Sequence, residues 1–138
     1  MPVARWCIAV VDDETPVRMA LGRLLRLADY DVNEFSSGEA FLVSLHAGLP
    51  DLVVLDVHMP GLSGFCVQSR LLAEHLDVPA MFITASDDPG LDLAVTEAGG
   101  VQLLRKPFFS QALLDALSAA LHSKRTTRHD AACPDDPD

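Results

Sequence analysis

Acidic, hydroxyl and basic residues follow four apolar runs of the sequence, at the point where each run ends. They are Asp12, Asp13, Asp56, Thr84 and Lys106. Apolar runs of this length predict parallel strands that helices cover on both faces. Because the carboxyl ends of parallel strands share one edge of a sheet, we expect these five side chains to converge there.

Clustered carboxylates repel one another unless a cation lies between them or one of them takes up a proton. Like charges about 4 Å apart repel by roughly 1 to 4 kcal/mol at a surface-like dielectric. Mg2+ is a hard cation that prefers oxygen ligands and keeps several of its own waters. The three aspartates therefore predict a magnesium site.

A carboxylate beside Mg2+ and a lysine can attack a phosphoryl group, because both cations neutralise charge on the transferring oxygens. Asp56 is the best nucleophile, since it ends the apolar run 52–55 and precedes a turn-forming segment, 59–64. The hydroxyl of Thr84 can donate a hydrogen bond to a phosphoryl oxygen. Each residue alone is more often a cap, a loop residue or a surface charge, and only their conjunction at successive strand ends favours this chemistry.

The elements that position these residues alternate along the chain, as βα units of a parallel sheet do. The predicted strands are residues 7–11, 31–35, 52–55, 80–83 and 101–104. The predicted helices are residues 16–28, 38–45, 64–76, 89–98 and 110–121. Right-handed crossovers turn such a series into an α/β doubly wound sheet. The second strand alternates polar and apolar residues, which predicts a half-exposed edge.

The length of 138 residues predicts one domain. We expect a folded domain over residues 1–122 and a disordered polar tail over residues 123–138, where almost nothing apolar is available for burial.

Charge and hydropathy exclude two classes of partner. The formal net charge of -10 has the wrong sign for neutralising nucleic-acid phosphates, so we expect no direct binding of nucleic acid. No apolar run reaches the roughly 18 residues of a membrane span, and the N-terminus lacks the pattern of a secretory signal. We therefore expect a cytoplasmic protein with no membrane partner.

These motifs closely resemble the receiver domain of two-component response regulators. The resemblance rests on Asp12-Asp13, on Asp56 with Met59-Pro60-Gly61 and Gly64 behind it, on Thr84-Ala85, and on Lys106-Pro107-Phe108. It covers about residues 6–122 and makes the domain 1–122 a receiver domain. Segments 57–64 and 110–117 are most similar to regulators of the nitrogen-fixation type.

The resemblance implies a flavodoxin-like fold with five helices and strand order 2-1-3-4-5, which a chemotaxis member of the family exemplifies. It implies that Asp56 accepts a phosphoryl group from a phosphohistidine of a sensor histidine kinase or phosphotransfer protein. Asp13, Asp56 and the backbone carbonyl of His58 would bind Mg2+, and Asp12 would act mainly through a bound water. Thr84 and Lys106 would bind the phosphoryl oxygens.

The implied function is signalling rather than enzymatic turnover, although the domain would assist its own phosphorylation and dephosphorylation. The output would be a phosphorylation-dependent homodimer or a downstream protein. The sequence departs from the family at Leu103, where members commonly carry a Tyr or Phe that reorients on phosphorylation. We therefore expect the response to run mainly through Thr84 and the loop 85–90.

Three alternatives stay open at this point. A hydrolase of the haloacid dehalogenase type also uses Asp, Thr and Lys, but it places a second Asp where His58 stands here. A receiver fold could also bind partners without being phosphorylated, although every residue of the acidic pocket is present. A nucleotide-binding protein is disfavoured, because Asp12-Asp13 occupies the turn where a glycine-rich phosphate loop would lie.

Overall fold

A five-stranded parallel sheet forms the centre of the computed structural model, which describes residues 5–106 and 110–127. The strands are β1 Cys7–Val11, β2 Asp31–Phe35, β3 Leu52–Asp56, β4 Ala80–Thr84 and β5 Gln102–Arg105. Their order is β2-β1-β3-β4-β5, and each neighbouring pair is parallel. The flavodoxin-like order and the α/β class are thereby confirmed.

Helices cover both faces of the sheet. They are α1 Thr15–Leu27, α2 Gly38–Ser44, α3 Gly64–Ala73, α4 Gly90–Glu97 and α5 Ser110–Thr127, and a short 3-10 helix, Leu45–Ala47, follows α2. The apolar side chains of α2, α3 and α4 pack with alternate strand residues into one core layer. Those of α1 and α5 pack with the remaining strand residues into the second layer. The sheet is therefore doubly wound, as predicted.

The burial of each strand follows its composition. All residues of β1, β3 and β4 are buried, because both faces of these central strands are covered. The edge strand β2 alternates between exposed and partly buried positions, as its sequence predicts. The other edge strand, β5, is also only partly buried.

Caps and turns set the ends of the helices. The hydroxyls of Ser37 and Ser63 accept backbone N–H groups at the start of α2 and α3. The helix α3 ends at Ala73 rather than at the predicted position 76, and His75 adopts a positive φ of 56°. A left-handed residue of this kind ends a helix.

The helix α5 is longer than predicted. It continues through Thr127 rather than ending at residue 121, so it includes residues 123–127. Lys and Arg, which occupy positions 124 and 125, are good helix formers, and absence of apolar residues alone does not end a helix. Residues 128–138 lie outside the described residues. None of the helices in the described ranges is both long and apolar enough to cross a bilayer.

Candidate functional site

The carboxyl edge of the sheet brings together all five polar residues that the sequence pattern singled out. Asp12 follows β1, Asp56 and Thr84 end β3 and β4, and Lys106 follows β5. Asp12, Asp56 and Thr84 expose only 0%, 4% and 0% of their surface. Polar groups buried to this extent must find partners within the protein or in a bound ligand.

The three aspartates form a compact acidic cluster. One carboxylate oxygen each from Asp12, Asp13 and Asp56 lies within 4.8 Å of the others. Asp12 and Asp56 are buried, whereas Asp13 is exposed at the mouth of the site. Three hard oxygen donors at this spacing are the ligand set that Mg2+ prefers.

Lys106 supplies the positive charge of the site. Its Nζ lies 3.1 Å from Asp12 Oδ2, 3.3 Å from Glu14 Oε1 and 3.6 Å from Asp56 Oδ2. Burial alone would lower the pKa of Lys106, but the hydrogen bond that its ammonium donates to Asp12 and the charge of Asp56 outweigh burial and raise the pKa. Lys106 is therefore charged, and its single ammonium group pairs with the three carboxylates of Asp12, Glu14 and Asp56.

Asp56 is destabilised in its ionised form by its surroundings. Burial and the charge of Asp12 raise its pKa to about 6, although Lys106 and the backbone N–H of His58 oppose the shift. That N–H lies 3.3 Å from Asp56 Oδ1. Most Asp56 side chains are still ionised at neutral pH, and an added cation would relieve the repulsion from Asp12.

The segment after Asp56 is held as a compact turn. The N–H of Val57 donates to the carbonyl of Ile83, and the N–H of Gly64 donates to the carbonyl of Val57. Gly61 has a φ of 78°, a left-handed conformation that glycine adopts without strain. The turn therefore starts α3 close to the backbone carbonyl of Asp56 and leaves the exposed His58 at the surface.

Thr84 connects the site to the loop that precedes α4. Its hydroxyl oxygen accepts the N–H of Ser86 at 3.1 Å, and its carbonyl accepts the N–H of Lys106 at 2.7 Å. The neighbouring Arg105 donates to the carbonyl of Asp88 at 2.7 Å and forms an ion pair of 3.1 Å with Asp92. A change at Thr84 or Lys106 can therefore be transmitted to this loop.

Sequence reasoning missed two charged residues at the site. Glu14 pairs with Lys106, and the acidic run that it shares with Asp12 and Asp13 was the available signal. Arg18 donates to the backbone carbonyl of Asp12 at 2.8 Å, a contact that no motif indicated. Of the predicted motif that starts at Lys106, positions 107 and 108 lie outside the described residues.

The family is shown by comparison with known proteins. The family model of the response regulator receiver domain matches residues 8–118. The chain belongs to this family and is a receiver domain of two-component response regulators. The family assignment gives no support to a dehalogenase-type hydrolase or to a nucleotide-binding protein.

Curated relatives extend the match over most of the chain. Nodulation protein W of Bradyrhizobium diazoefficiens is 36% identical over 121 residues, which are 88% of this chain and 53% of that protein. Response regulator MprA of Mycolicibacterium vanbaalenii is 39% identical over 132 residues, which are 96% of this chain and 55% of that protein. The chain thus spans about half the length of the curated relatives it matches.

Solved structures agree with the fold. A response regulator receiver protein from Burkholderia phymatum is 40% identical with a TM-score of 0.78, over 86% of this chain and 96% of that one. The FixJ-N crystal structure is 28% identical with a TM-score of 0.80, over 87% of this chain and 96% of that one. A CheY-like receiver domain from Methanospirillum hungatei has a TM-score of 0.84 at 17% identity and shows the fold alone.

Proposed function

We propose that this receiver domain accepts a phosphoryl group on Asp56 with the help of Mg2+ and then changes its protein contacts. The observation that carries the proposal is the convergence of a buried Asp56 with Asp12, Asp13 and the Lys106 ammonium. Membership of the receiver-domain family also favours this chemistry. Asp56, Thr84 and Lys106 are the proposed reacting and phosphoryl-binding residues.

The residues present fit a magnesium ion. Asp13 and Asp56 would be direct carboxylate ligands, the backbone carbonyl of His58 would be a third ligand, and Asp12 would act through a water. The spacing of the carboxylates indicates negative charge in excess of what Lys106 neutralises, and the charge of Asp12 adds to burial in raising the pKa of Asp56. When bound, Mg2+ would neutralise charge on the phosphoryl oxygens and hold them towards Asp56.

Each protein group has one task in the transfer. A carboxylate oxygen of Asp56 forms a bond to phosphorus as the bond from phosphorus to the donor's imidazole nitrogen breaks. A proton on the other nitrogen of that ring lets the donor leave as a neutral histidine, and the product on this chain is an aspartyl phosphate. Lys106 then pairs with a phosphoryl oxygen, and the Thr84 hydroxyl donates a hydrogen bond to another. The same groups would assist hydrolysis of the aspartyl phosphate, in which water takes up the phosphoryl group and Asp56 is restored.

The proposed donor is the phosphohistidine of a sensor histidine kinase or phosphotransfer protein. An apolar groove of about 650 Å³ lies directly beside the site and offers a docking surface. Its described lining residues are Pro16, Val17, Ala20, Leu21 and Leu24 of α1, together with Ala85, Lys106 and Ser110. A donor helix packed there would bring its histidine close to Asp56.

The proposed output is protein contact. A phosphorylation-dependent homodimer or a downstream protein would read the state of the domain, and the acidic chain would bind neither nucleic acid nor membrane directly. TdiR of Thauera aromatica is named a transcriptional regulatory protein, and that role stays a property of the relative. We place the protein in the cytoplasm, where sensor kinases present their phosphohistidines, and we place the receiver domain within residues 1–122.

Mass spectrometry after incubation with acetyl phosphate and Mg2+ tests the proposal. The natural protein should gain one phosphoryl group, and Asp56→Asn should gain none. The matched control is Asp77→Asn, which removes an exposed carboxylate near the amino end of β4, whereas the site lies at the carboxyl end. This variant should be phosphorylated normally. Unchanged kinetics in Asp56→Asn would contradict the assignment of Asp56, and no mass gain in the natural protein would favour a phosphorylation-independent interaction domain.

A further inference from the structure

Arg18 joins three segments next to the acidic cluster without belonging to it. Its Nη1 donates to the backbone carbonyl of Asp12 at 2.8 Å, and its Nη2 donates to Thr15 Oγ1 at 3.3 Å. Its Nε lies 3.9 Å from Glu34 Oε1 on β2. Only 15% of the Arg18 side chain is exposed, so the guanidinium is packed into the protein between β2 and the loop that follows β1.

We propose that Arg18 is a positioning residue that holds the loop of Asp12 and Asp13 in the geometry that binds Mg2+. The proposal rests on the proposed function, because it assumes that the acidic cluster is a magnesium site. Arg18 itself would contact neither the ion nor the phosphoryl group. It would act through the peptide unit between the two aspartates.

The physical link is the planarity of that peptide. The carbonyl of Asp12 and the N–H of Asp13 belong to one rigid peptide plane. A hydrogen bond that fixes the carbonyl therefore also fixes the direction in which the chain continues to the Cα atom of Asp13. The other groups of Asp12 are held separately: its N–H donates to the carbonyl of Phe35, and its carboxylate contacts Lys106 and the N–H of Glu14. Arg18 completes this set of restraints.

Asp13 depends on this restraint more than its neighbours do. Its side chain is exposed, and no hydrogen bond between described residues holds its carboxylate. Without Arg18 the Asp13 peptide can rotate, and ion binding must then order it at an entropic cost. Magnesium affinity should consequently fall when Arg18 is removed.

The guanidinium suits this role better than an ammonium does. A planar fork can donate in fixed directions to acceptors on separate segments, whereas Lys is a flexible point charge. Glu34 orients the fork from the edge strand, and Arg26 holds Glu34 in turn with an ion pair of 2.8 Å. Arg26 therefore shares the Glu34 partner of Arg18, and within the described residues it forms no hydrogen bond or ion pair with the acidic loop, which makes it a matched control.

Charge and positioning predict opposite signs for the effect. The positive charge of Arg18 near the cluster repels a cation, so its loss by charge alone would strengthen Mg2+ binding. Loss of the positioning of the acidic loop by Arg18 would instead weaken Mg2+ binding. The direction of the change in Mg2+ dissociation constant therefore separates the two roles.

The test is isothermal titration of Mg2+ into the natural protein, Arg18→Ala, Arg18→Lys and Arg26→Ala, with thermal melting of each. We expect about a tenfold weaker Mg2+ affinity in Arg18→Ala, as is typical when a residue that orients a metal ligand is removed, with partial rescue in Arg18→Lys. Arg26→Ala should bind Mg2+ within about twofold of the natural protein. Tighter or unchanged binding in Arg18→Ala, or an equal loss in Arg26→Ala, would overturn the proposal.

Phosphorylation by acetyl phosphate supplies a second readout. Arg18→Ala should need about tenfold more Mg2+ for half-maximal rate and should reach a rate within about twofold of the natural protein at saturating Mg2+. A loss of rate that Mg2+ does not restore would overturn the proposal. If Arg18→Ala does not fold, Arg18→Lys carries the test: it should need more Mg2+ than the natural protein for half-maximal rate, and an unchanged Mg2+ requirement would overturn the proposal. A natural protein that neither binds Mg2+ nor accepts phosphate would refute the proposed function itself, which is a distinct outcome.

Discussion

A Cβ atom added to Gly64 would lie 2.5 Å from the carbonyl oxygen of Asp56. The start of α3 is therefore pressed directly against the backbone of the acidic residue, and only glycine fits without displacement. The contact explains in physical terms why a glycine follows Asp56 at this separation. It also connects the packing of α3 to the position of the Asp56 carboxylate.

Gly64→Ala should destabilise the domain and displace Asp56. Overpacking against a backbone atom costs roughly 1 to 3 kcal/mol, and we expect the free energy of unfolding to fall by that amount in chemical denaturation. The matched control is Gly90→Ala at the first residue of α4, where the nearest atom is the flexible Asp88 Oδ1 at 3.3 Å. Equal stability of the two variants would show that α3 can move away from Asp56 without cost.

The raised pKa of Asp56 predicts the pH dependence of stability. Burial and the charge of Asp12 raise this pKa from 3.8 to about 6, so the folded chain binds more protons than the unfolded chain between these values. Ionisation of Asp56 therefore lowers the free energy of unfolding as the pH rises through about 6. The cost of burying the ionised carboxylate of Asp56 beside Asp12 is therefore present almost in full at neutral pH.

Asp56→Asn should consequently be more stable than the natural protein at pH 7.5 in the absence of divalent cations. We expect a gain on the order of 1 kcal/mol, since water screens part of the repulsion, and the gain should vanish as the pH approaches 4. Denaturation at a series of pH values measures it, with the exposed Asp77→Asn as the control. A gain that is independent of pH would show that the substitution acts through packing.

Magnesium should stabilise the folded chain, because it binds the assembled cluster and not the dispersed residues of the unfolded chain. At ten times its dissociation constant the gain is about 1.4 kcal/mol. Asp13→Asn should lose most of this gain and should also be more stable than the natural protein in EDTA, since it removes one of the repelling charges. Thermal melting at constant ionic strength checks both effects, and equal stabilisation by NaCl alone would argue against a specific site.

Thr84→Ala and Leu103→Ala should separate two routes for the response to phosphorylation. The Thr84 hydroxyl contacts the N–H of Ser86 in the loop before α4, whereas Leu103 packs against the core beside Phe82 and is only partly buried. Thr84→Ala should accept phosphate slowly and lose the structural response to phosphorylation. Leu103→Ala should change that response only mildly. The readouts are amide exchange of the loop 85–90 and light scattering for dimer formation, before and after phosphorylation. The reverse pattern would place the coupling on β5 instead.

The order of the elements and the polar residues at the strand ends could be read from the sequence, because these signals are local. An apolar run identifies a central strand, alternation identifies the edge strand β2, and the shared edge of a parallel sheet then assembles Asp56 and Lys106. Helix ends were harder to predict. The left-handed His75 ends α3 early, and the continuation of α5 through Thr127 has no periodic apolar signal.

Only the tertiary structure decided which charges meet. Lys106 and Asp12 are separated by 94 positions in the chain. Whether Nζ reaches Asp12, Glu14 or Asp56 depends on how the four strands β1, β3, β4 and β5 pack side by side. The same holds for Arg18, which donates to a backbone carbonyl. Every residue carries a carbonyl, so no residue type in the sequence marks the one that folding places within reach of a guanidinium.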